Sequence, residues 1–483
     1  MAELDNWSSN ASDAIVISVV SPTAEGAITT VSKFHPKFTY SIFGDEERIF
    51  GYQKLHINLR YNANDMRPHL GIQYKKKFQA VGETEPDDIK KILKEFLPEV
   101  AFQKASEFEA AIKAVPESWT PPGEKVASFP STKDDSTMEM WKANLADPAV
   151  KQLVSRIQIL VSFFIEGGTF LDVDEDDANR WTIYFLYCRK SDPKTSKQIY
   201  EFAGYCTLYS FYMLQLPTPP ASPAQDGSGR TAAKDDLDLG DGNYDLSQLP
   251  CRSRISQFLI TPQYQGQGNG SRLYGELYKQ YLNHPQTIEL TVEDPNEAFD
   301  DMRDVCDLTY LRTRPDFQKL RINSDIRLPK NGLVPKNILD PSLYDNIRRA
   351  AKIAPRQFAR VVEMHLMSRL ADSVRPGIDL EEEKQAVPKP TKAEKHEYNL
   401  WKLLVKSRLY RQHKDILGQL DATERIEKLE ETVTNVEFEY VRLMALYENR
   451  SKHTAVGADL NGKRKADEPA EEEETTNKKP RVD

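Results

Sequence analysis

Two stretches of this chain carry residue types that do chemistry. The first is Gln265-Gly266-Gln267-Gly268-Asn269-Gly270-Ser271, which follows a strand-like run at 255–260 and precedes apolar residues at Leu273, Leu277, Tyr278 and Tyr281. Strand, glycine-rich turn and helix in that order make an anion site. Glycine lets a ligand approach the backbone, and the first-turn N–H groups of a helix have no intrahelical partners. A pyrophosphate fits such a site. The second stretch is the paired acid Glu293-Asp294, which closes the strand-like segment 287–293 and is of the residue type that general acid–base chemistry uses.

Spacing narrows the first site. A dinucleotide fingerprint reads G-x-G-x-x-G after an early strand, with an acid about 20 residues further on. Glu289 lies near that offset, but the order here is Gln-x-x-Gly-x-Gly. No Walker lysine follows the glycines, which argues against a nucleoside triphosphate. The plain alternative is a flexible surface loop. For the acids, it is a polar strand end stopped by Asp294-Pro295.

Gln265-x-x-Gly268-x-Gly270 resembles the acetyl-coenzyme A signature of the GCN5-related N-acetyltransferases. Three blocks in register resemble the type B histone acetyltransferase family: Ile255-Ser-Gln-Phe-Leu-Ile260, Gln265 to Ser271, and Thr291-Val-Glu-Asp-Pro-Asn-Glu-Ala-Phe-Asp-Asp301. The likeness extends more thinly from Trp7 to Arg369 and includes Phe38-Thr-Tyr-Ser-Ile-Phe-Gly-Asp45 and Phe164-Ile-Glu166. It implies lysine N-acetylation of a histone tail, that of newly made histone four, before chromatin assembly, with acetyl-coenzyme A as co-substrate and no metal. Coenzyme contacts are implied at Phe258, Leu259, Ile260, Gln265, Gly266, Gln267, Gly268, Asn269, Gly270, Ser271 and Asn296. Glu293, Asp294 and Glu166 are implied as the acids around the acceptor amine, Glu293 first. The turn Asp45, Glu46 and Glu47 is implied to face the tail, as are Tyr209, Phe211 and Tyr212. The family's usual partner is a WD-repeat β-propeller histone chaperone. A rival reading is a non-catalytic acyl-coenzyme A-binding scaffold for histones or a chaperone. Glu166, Glu293 and Asp294 together favour the enzyme.

The chemistry explains why acids are needed. A lysine amine with a pKa of about 10.4 is protonated near pH 7, a deficit of roughly 4–5 kcal/mol against the free nucleophile. A positioned carboxylate recovers about 10²–10⁴ in rate as a general base. Glu293 shares a strand face with Glu289 and Thr291, opposite the apolar phase Ile288, Leu290 and Val292. A backbone N–H near 258–260 is expected to meet the charge that develops on the thioester oxygen. No Ser/His/Asp or Cys/His set is evident, so direct transfer is expected.

The rest of the chain must position these groups. Its 483 residues, 39% hydrophobic, suffice for two to four domains. A net charge of −9 argues against direct nucleic-acid binding by the folded body and suits a basic partner. Cys188, Cys206, Cys251 and Cys306 lack paired spacing and read as reduced thiols; no long apolar run suggests a membrane span or a leader. The chain therefore reads as α+β: an N-terminal α+β domain (1–135), a central acetyltransferase domain with a mixed sheet and helices (136–325), a small helical domain (326–385), a helical or coiled-coil extension (386–450) and a disordered tail (451–483).

Within that frame, Val150, Leu153, Val154, Ile157, Leu160, Val161 and Phe164 predict one helix ending near Glu166. Asp172, Asp174, Glu175, Asp176 and Asp177 form an acidic loop before Trp181, which is either solvated turn or a seat for a lysine-rich peptide against the indole face. The segment 217–249 predicts disorder, and Pro, Ser and Gly at 116–136 predict a boundary. Ile426, Leu429, Val433, Val436, Tyr440, Leu443 and Tyr447 predict a helical seam packed intramolecularly. Lys463-Arg464-Lys465 and Lys478-Lys479-Pro480-Arg481 have bipartite nuclear-import form, which points to cytoplasm and nucleus.

Overall fold

The computed structural model describes residues 6–23, 25–191, 197–213, 245–328, 334–376 and 389–466. By compactness the chain divides into Met1–Met302 with Arg348–Ala354, and Arg303–Ile347 with Pro355–Asp483. No described helix is long and apolar enough to cross a membrane.

Two larger sheets dominate the first unit, beside two short two-stranded ones. Strands β1 (Ile15–Pro22), β2 (Ile28–Phe34), β3 (His56–Asn62) and β4 (Pro68–Gln73) lie in the order β2-β1-β3-β4, with β1 and β3 parallel. The larger sheet holds β5 (Glu124–Pro130), β6 (Thr137–Asn144), β7 (Trp181–Ser191), β8 (Gln198–Tyr212), β9 (Cys251–Ile260) and β10 (Thr287–Val292), in the order β10-β9-β8-β7-β6-β5. Its neighbours are antiparallel except β9 and β10. One apolar core joins the two sheets, taking in Ile15, Ile17, Ile57 and Leu59 together with Ile183, Phe185, Tyr187, Phe202 and Leu259.

The position 135/136, where a boundary was expected, lies in the turn of the β5–β6 hairpin. Strand β5 falls inside the stretch read as a linker because it is a sheet edge. Paired on one side only, it tolerates Pro, Ser and Lys that an inner strand would not.

Helices α1 (Pro148–Ile157) and α2 (Ile159–Phe164) replace the single expected helix, with the interruption at Gln158. Asp147 caps α1 by accepting from Ala149 N at 2.8 Å, with Pro148 at the first helical position. The expected core face is buried from Val150 to Val161, whereas Phe164 is half-buried. Glu166 lies beyond the helix, after the extended residue Ile165, and is exposed.

Helix α3 (Asn269–Asn283) crosses from β9 to the parallel β10 and buries Leu273, Tyr274, Leu277, Tyr278 and Tyr281. The edge of β10 is covered where Leu290 N donates to Lys352 O at 2.8 Å. A register slip between Cys251 and Arg252 buries Thr287 and leaves Ile288 45% exposed, so Ile288 does not join the apolar phase read from alternation. Of the segment expected to be disordered, Asp245 to Leu249 are ordered: Gln286 Nε2 donates to the carbonyls of Leu246 and Leu249 at 2.7 and 2.9 Å. Residues 217–244 lie outside the described residues.

Helices dominate the second unit: the part of α4 (Glu297–Arg312) from Arg303 on, the part of α5 (Pro341–Ala351) up to Ile347, then α6 (Pro355–Met367), α7 (Lys392–Gln412) and α8 (Ala422–Ala466). Thr391 and Glu394 form a capping box at the start of α7. The α8 seam packs intramolecularly as its spacing predicts, with Val433, Val436, Tyr440 and Leu443 buried. Ile426 is 61% exposed, so the packed part of the seam begins later than expected. Helix α8 runs through Ala466, past residue 451 where disorder was expected, and so includes the first basic cluster. The second basic cluster lies outside the described residues.

Candidate active site

Strands β9 and β10 part company at the glycine turn. Their pairing ends at Ile255 opposite Val292, closed by Glu293 N donating to Ile255 O at 2.8 Å, while β9 continues to Ile260. Beyond that point Gln257 N donates to the Thr207 hydroxyl (3.0 Å) and Thr261 N to Ala203 O (2.9 Å), both toward β8. Backbone groups alternate along a strand. Phe258 and Ile260 therefore turn their N–H and C=O groups into the gap that β10 leaves. The Ile260 carbonyl there accepts from Gln265 Nε2 at 2.7 Å.

A pocket of about 330 Å³ opens at this gap, lined by Phe258, Ile260, Gln265, Gly266, Gly268, Asn269, Gly270, Ser271 and Asn296, with Ala298, Phe299 and Met302. Every expected coenzyme residue lines it except Leu259 and Gln267. Leu259 turns into the core instead. Gln267 spends its side chain on Gln263 O (2.9 Å) and its carbonyl on the Thr132 hydroxyl (3.2 Å). Arg272 Nη1 donates to Pro130 O (2.7 Å), so the β5–β6 hairpin holds the glycine turn in place.

Gly266 and Gly268 have φ of +71° and +74°, and a Cβ at either would meet nothing within 4 Å. Both positions have the left-handed backbone conformation that favours glycine, and no protein atom crowds them. Crowding applies at Gly270, where a Cβ would sit 3.2 Å from Met302 Sδ and 3.8 Å from Phe258 and Ile260 side-chain atoms. Asn296 accepts from Phe299 N at 2.9 Å and so also caps α4.

The acids gather around the same strand. Glu293 is half-buried, and its Oε1 lies 3.3 Å from Arg254 Nη2. Asp294 is exposed at φ +34°, a left-handed conformation that costs a non-glycine residue about 1–3 kcal/mol and that proteins keep mainly at functional sites. The Glu166 loop is tied to β9 where Gln257 Nε2 donates to Thr169 O at 2.7 Å, and Gly167 N donates to the Tyr40 hydroxyl at 3.0 Å. This brings the 38–47 segment and Glu166 to one neighbourhood. Glu47 is less free than Asp45 and Glu46: its Oε2 accepts from Thr39 N, the Thr39 hydroxyl (2.7 Å) and Ser12 Oγ (3.1 Å), and the Thr39 bonds hold its carboxyl below the usual range.

Aromatic side chains lead away from Glu293. Arg254 Cζ stands 4.4 Å from the Phe211 ring centroid, Phe211 meets Tyr209 at 4.6 Å, and Tyr209 meets Trp181 at 4.9 Å. The Tyr209 hydroxyl donates to Asp177 Oδ2 (2.7 Å) and accepts from Arg180 Nη1 (3.2 Å), which pins the acidic loop beside this series. Tyr212 is on the opposite face of β8, lining a separate polar cavity with Thr182, Tyr184 and His284.

A phosphate-type pocket at a glycine turn, an accessible carboxylate on the neighbouring strand and an aromatic track to an acidic loop together describe a group-transfer site for a cationic acceptor. Residues 7–166 match the family model described as the N-terminus of histone acetyl transferase HAT1, and residues 304–371 match that of the C-terminal part of fungal HAT1. A protein of Gibberella zeae named "Histone acetyltransferase type B catalytic subunit" is 50% identical, with both chains fully covered. Similarly named proteins of Pyricularia oryzae (49%, all of both chains) and Neurospora crassa (47%, over 98% of this chain and 96% of the relative) align as completely. The chain belongs to the family of type B histone acetyltransferase catalytic subunits.

This histone acetyltransferase thus has its glycine turn, open strand edge and paired acids within one compact unit. Reasoning from sequence missed Arg254 and the tie between Asp177 and Tyr209. A signal for Arg254 was present, since Arg252 and Arg254 alternate on β9 as Glu289 and Glu293 do on β10 and just past its end. That pattern pairs opposite charges only once the two strands are known to be neighbours.

Proposed function

We propose that the enzyme transfers acetyl from acetyl-coenzyme A to a lysine in the amino-terminal tail of newly synthesised histone four, with Glu293 as general base. The observation that carries this reading is the placement of an accessible carboxylate, Glu293, beside the gap where β9 exposes unpaired backbone next to a glycine-turn pocket. The residues fit acetyl-coenzyme A. The first-turn N–H groups of α3 suit a pyrophosphate, and the Phe258 and Ile260 amides offer hydrogen bonds to an extended chain in the gap. The bound coenzyme supplies the acetyl group as an activated thioester. The chain's part is to hold it, orient the amine and take the amine's proton at Glu293, with Asp294 and Glu166 setting the local field. Asp45, Glu46, Trp181, Tyr209 and Phe211 are proposed tail contacts, and a WD-repeat β-propeller chaperone that holds the rest of the histone would raise the tail's local concentration. Action in cytoplasm and nucleus belongs to the same reading. Acetyl transfer by the purified chain to a panel of histone-tail peptides tests it: preference for another tail rejects the substrate, and acyl-coenzyme A binding without transfer returns the scaffold reading.

Two expected results arise here. Gly270→Val raises the acetyl-coenzyme A dissociation constant at least about tenfold, about 1.4 kcal/mol, because the new side chain presses on Met302 and the pocket wall. Calorimetric titration checks this, and unchanged affinity means that the turn does not hold the phosphates. Neutralising Asp174, Glu175 and Asp176 raises the KM for a tail peptide more than it lowers kcat. These acids are exposed, and with a Debye length of about 8 Å at 0.15 M salt they act only near the groove. Added salt reproduces the effect in wild type; equal KM and equal salt sensitivity would reduce the loop to solvated surface.

A further inference from the structure

Phe211 on β8, Arg254 on β9 and Glu293, one residue past the end of β10, stand in succession. Arg254 touches both neighbours, with Nη2 3.3 Å from Glu293 Oε1 and Cζ 4.4 Å from the Phe211 centroid, and its Nε is buried without a hydrogen-bond partner. A second pair lies one step along the strands and differs in kind. Glu289 there is held between Arg252 (3.0 Å) and Arg348 (3.4 Å), with its side chain only 12% exposed. The Glu293 side chain is 39% exposed and faces one cation, with Phe211, Tyr209 and Trp181 leading up to it. The Glu289 cluster closes the sheet edge; the Arg254–Glu293 pair is open to a substrate.

We propose that Arg254 is a positioning residue for acetyl transfer: it fixes the Glu293 carboxylate against Phe211 and disfavours the ammonium form of the lysine brought beside it, so that the free amine reacts. This rests on the reading of Glu293 as the base. A fixed guanidinium disfavours an ammonium ion brought to the same place. Amine nucleophiles elsewhere are activated by a neighbouring cation in this way. As the nitrogen lone pair bonds to the acetyl carbon, its proton passes to Glu293, and the carbon–sulfur bond of the thioester breaks with its electron pair on sulfur, so that coenzyme A leaves as a thiolate that solvent protonates. The other charged groups near this series are Asp294, next along the chain, the Arg252–Glu289–Arg348 cluster, and Asp177 with Arg180 at the Tyr209 hydroxyl. None of them stacks on Phe211 as Arg254 does.

The test is kcat against pH for a histone-tail peptide at saturating acetyl-coenzyme A, in wild type, Arg254→Gln, Arg254→Lys and Glu293→Gln. The pH dependence of kcat reports groups in the bound complex. Losing the cation favours the ammonium form of the bound lysine, so the rising limb of Arg254→Gln shifts up by about one pH unit and activity recovers at high pH. Arg254→Lys keeps the charge and restores the limb to its wild-type position. A loss by the same factor at every pH, an unmoved limb, or a limb that shifts as far in Arg254→Lys as in Arg254→Gln overturns the proposal. Should Arg254→Gln fail to fold, Arg254→Met, which keeps an apolar stem against Phe211 without the charge, takes its place with the same expected shift, and an unmoved limb in it overturns the proposal. Wild-type turnover in Glu293→Gln rejects the base itself; an inactive Glu293→Gln with an unmoved Arg254→Gln limb rejects only the role given to Arg254.

Discussion

Glu293→Gln lowers kcat for a histone-tail peptide by about 10²–10⁴, the usual contribution of a positioned general base. Glutamine keeps the size of the side chain and one oxygen near Arg254 but cannot take the amine's proton. Glu293 is not among the residues that line the coenzyme pocket, so the acetyl-coenzyme A dissociation constant stays within about twofold of wild type. Steady-state kinetics with calorimetric titration separates the two quantities. Turnover within about twofold of wild type from about pH 6 to 9 would show that another group, Asp294 or Glu166 first, takes the proton.

Arg408→Met destabilises the second unit by about 3–5 kcal/mol, the range for removing one partner of a buried ion pair. One carboxylate joins three helices there. Glu363 on α6 accepts from Arg408 Nε and Nη2 on α7 at 2.8–3.0 Å and from the Tyr440 hydroxyl on α8 at 2.8 Å. Both ionic side chains are under 10% exposed, so the methionine variant would leave a buried charge with a single hydroxyl donor. Trp401 Nε1 also donates to the Glu363 carbonyl at 2.9 Å, so the strain spreads along α7. Replacing both ionic partners, in Glu363→Leu with Arg408→Met, costs much less, because apolar groups of similar volume often substitute for a buried pair without loss. Denaturant unfolding of the single and double variants measures the difference. A single variant within about 1 kcal/mol of wild type would mean that water reaches the pair.

Short-range patterns needed no tertiary structure to be read. The succession of strand, glycine turn and helix at 255–281 was legible because each of its parts is a local feature of the chain. The core faces of α1 and α3 follow from helical spacing, since burial of a stripe is a property of one element. Asp294-Pro295 ends β10 for a reason internal to the dipeptide: proline cannot continue the ladder.

Contacts between elements were decided only by tertiary structure. Alternation alone placed Ile288 in the core, but a slip of register against β9 put it outside, and no local signal encodes that slip. The single helix expected through Phe164 is interrupted at Gln158, which leaves Glu166 in a loop that Gln257 ties to β9. Polar composition at 116–136 was indistinguishable from a linker until β6 paired with β5 and made it an edge strand. Most consequential for function, the series Trp181, Tyr209, Phe211, Arg254 and Glu293 draws on three strands of the sheet and the residue past the end of a fourth. The sequence named four of those five side chains one by one. Their succession, and the arginine that links the aromatic track to the acid, exist because sheet order and register set distant residues side by side, and those are properties of the pairing rather than of any one segment.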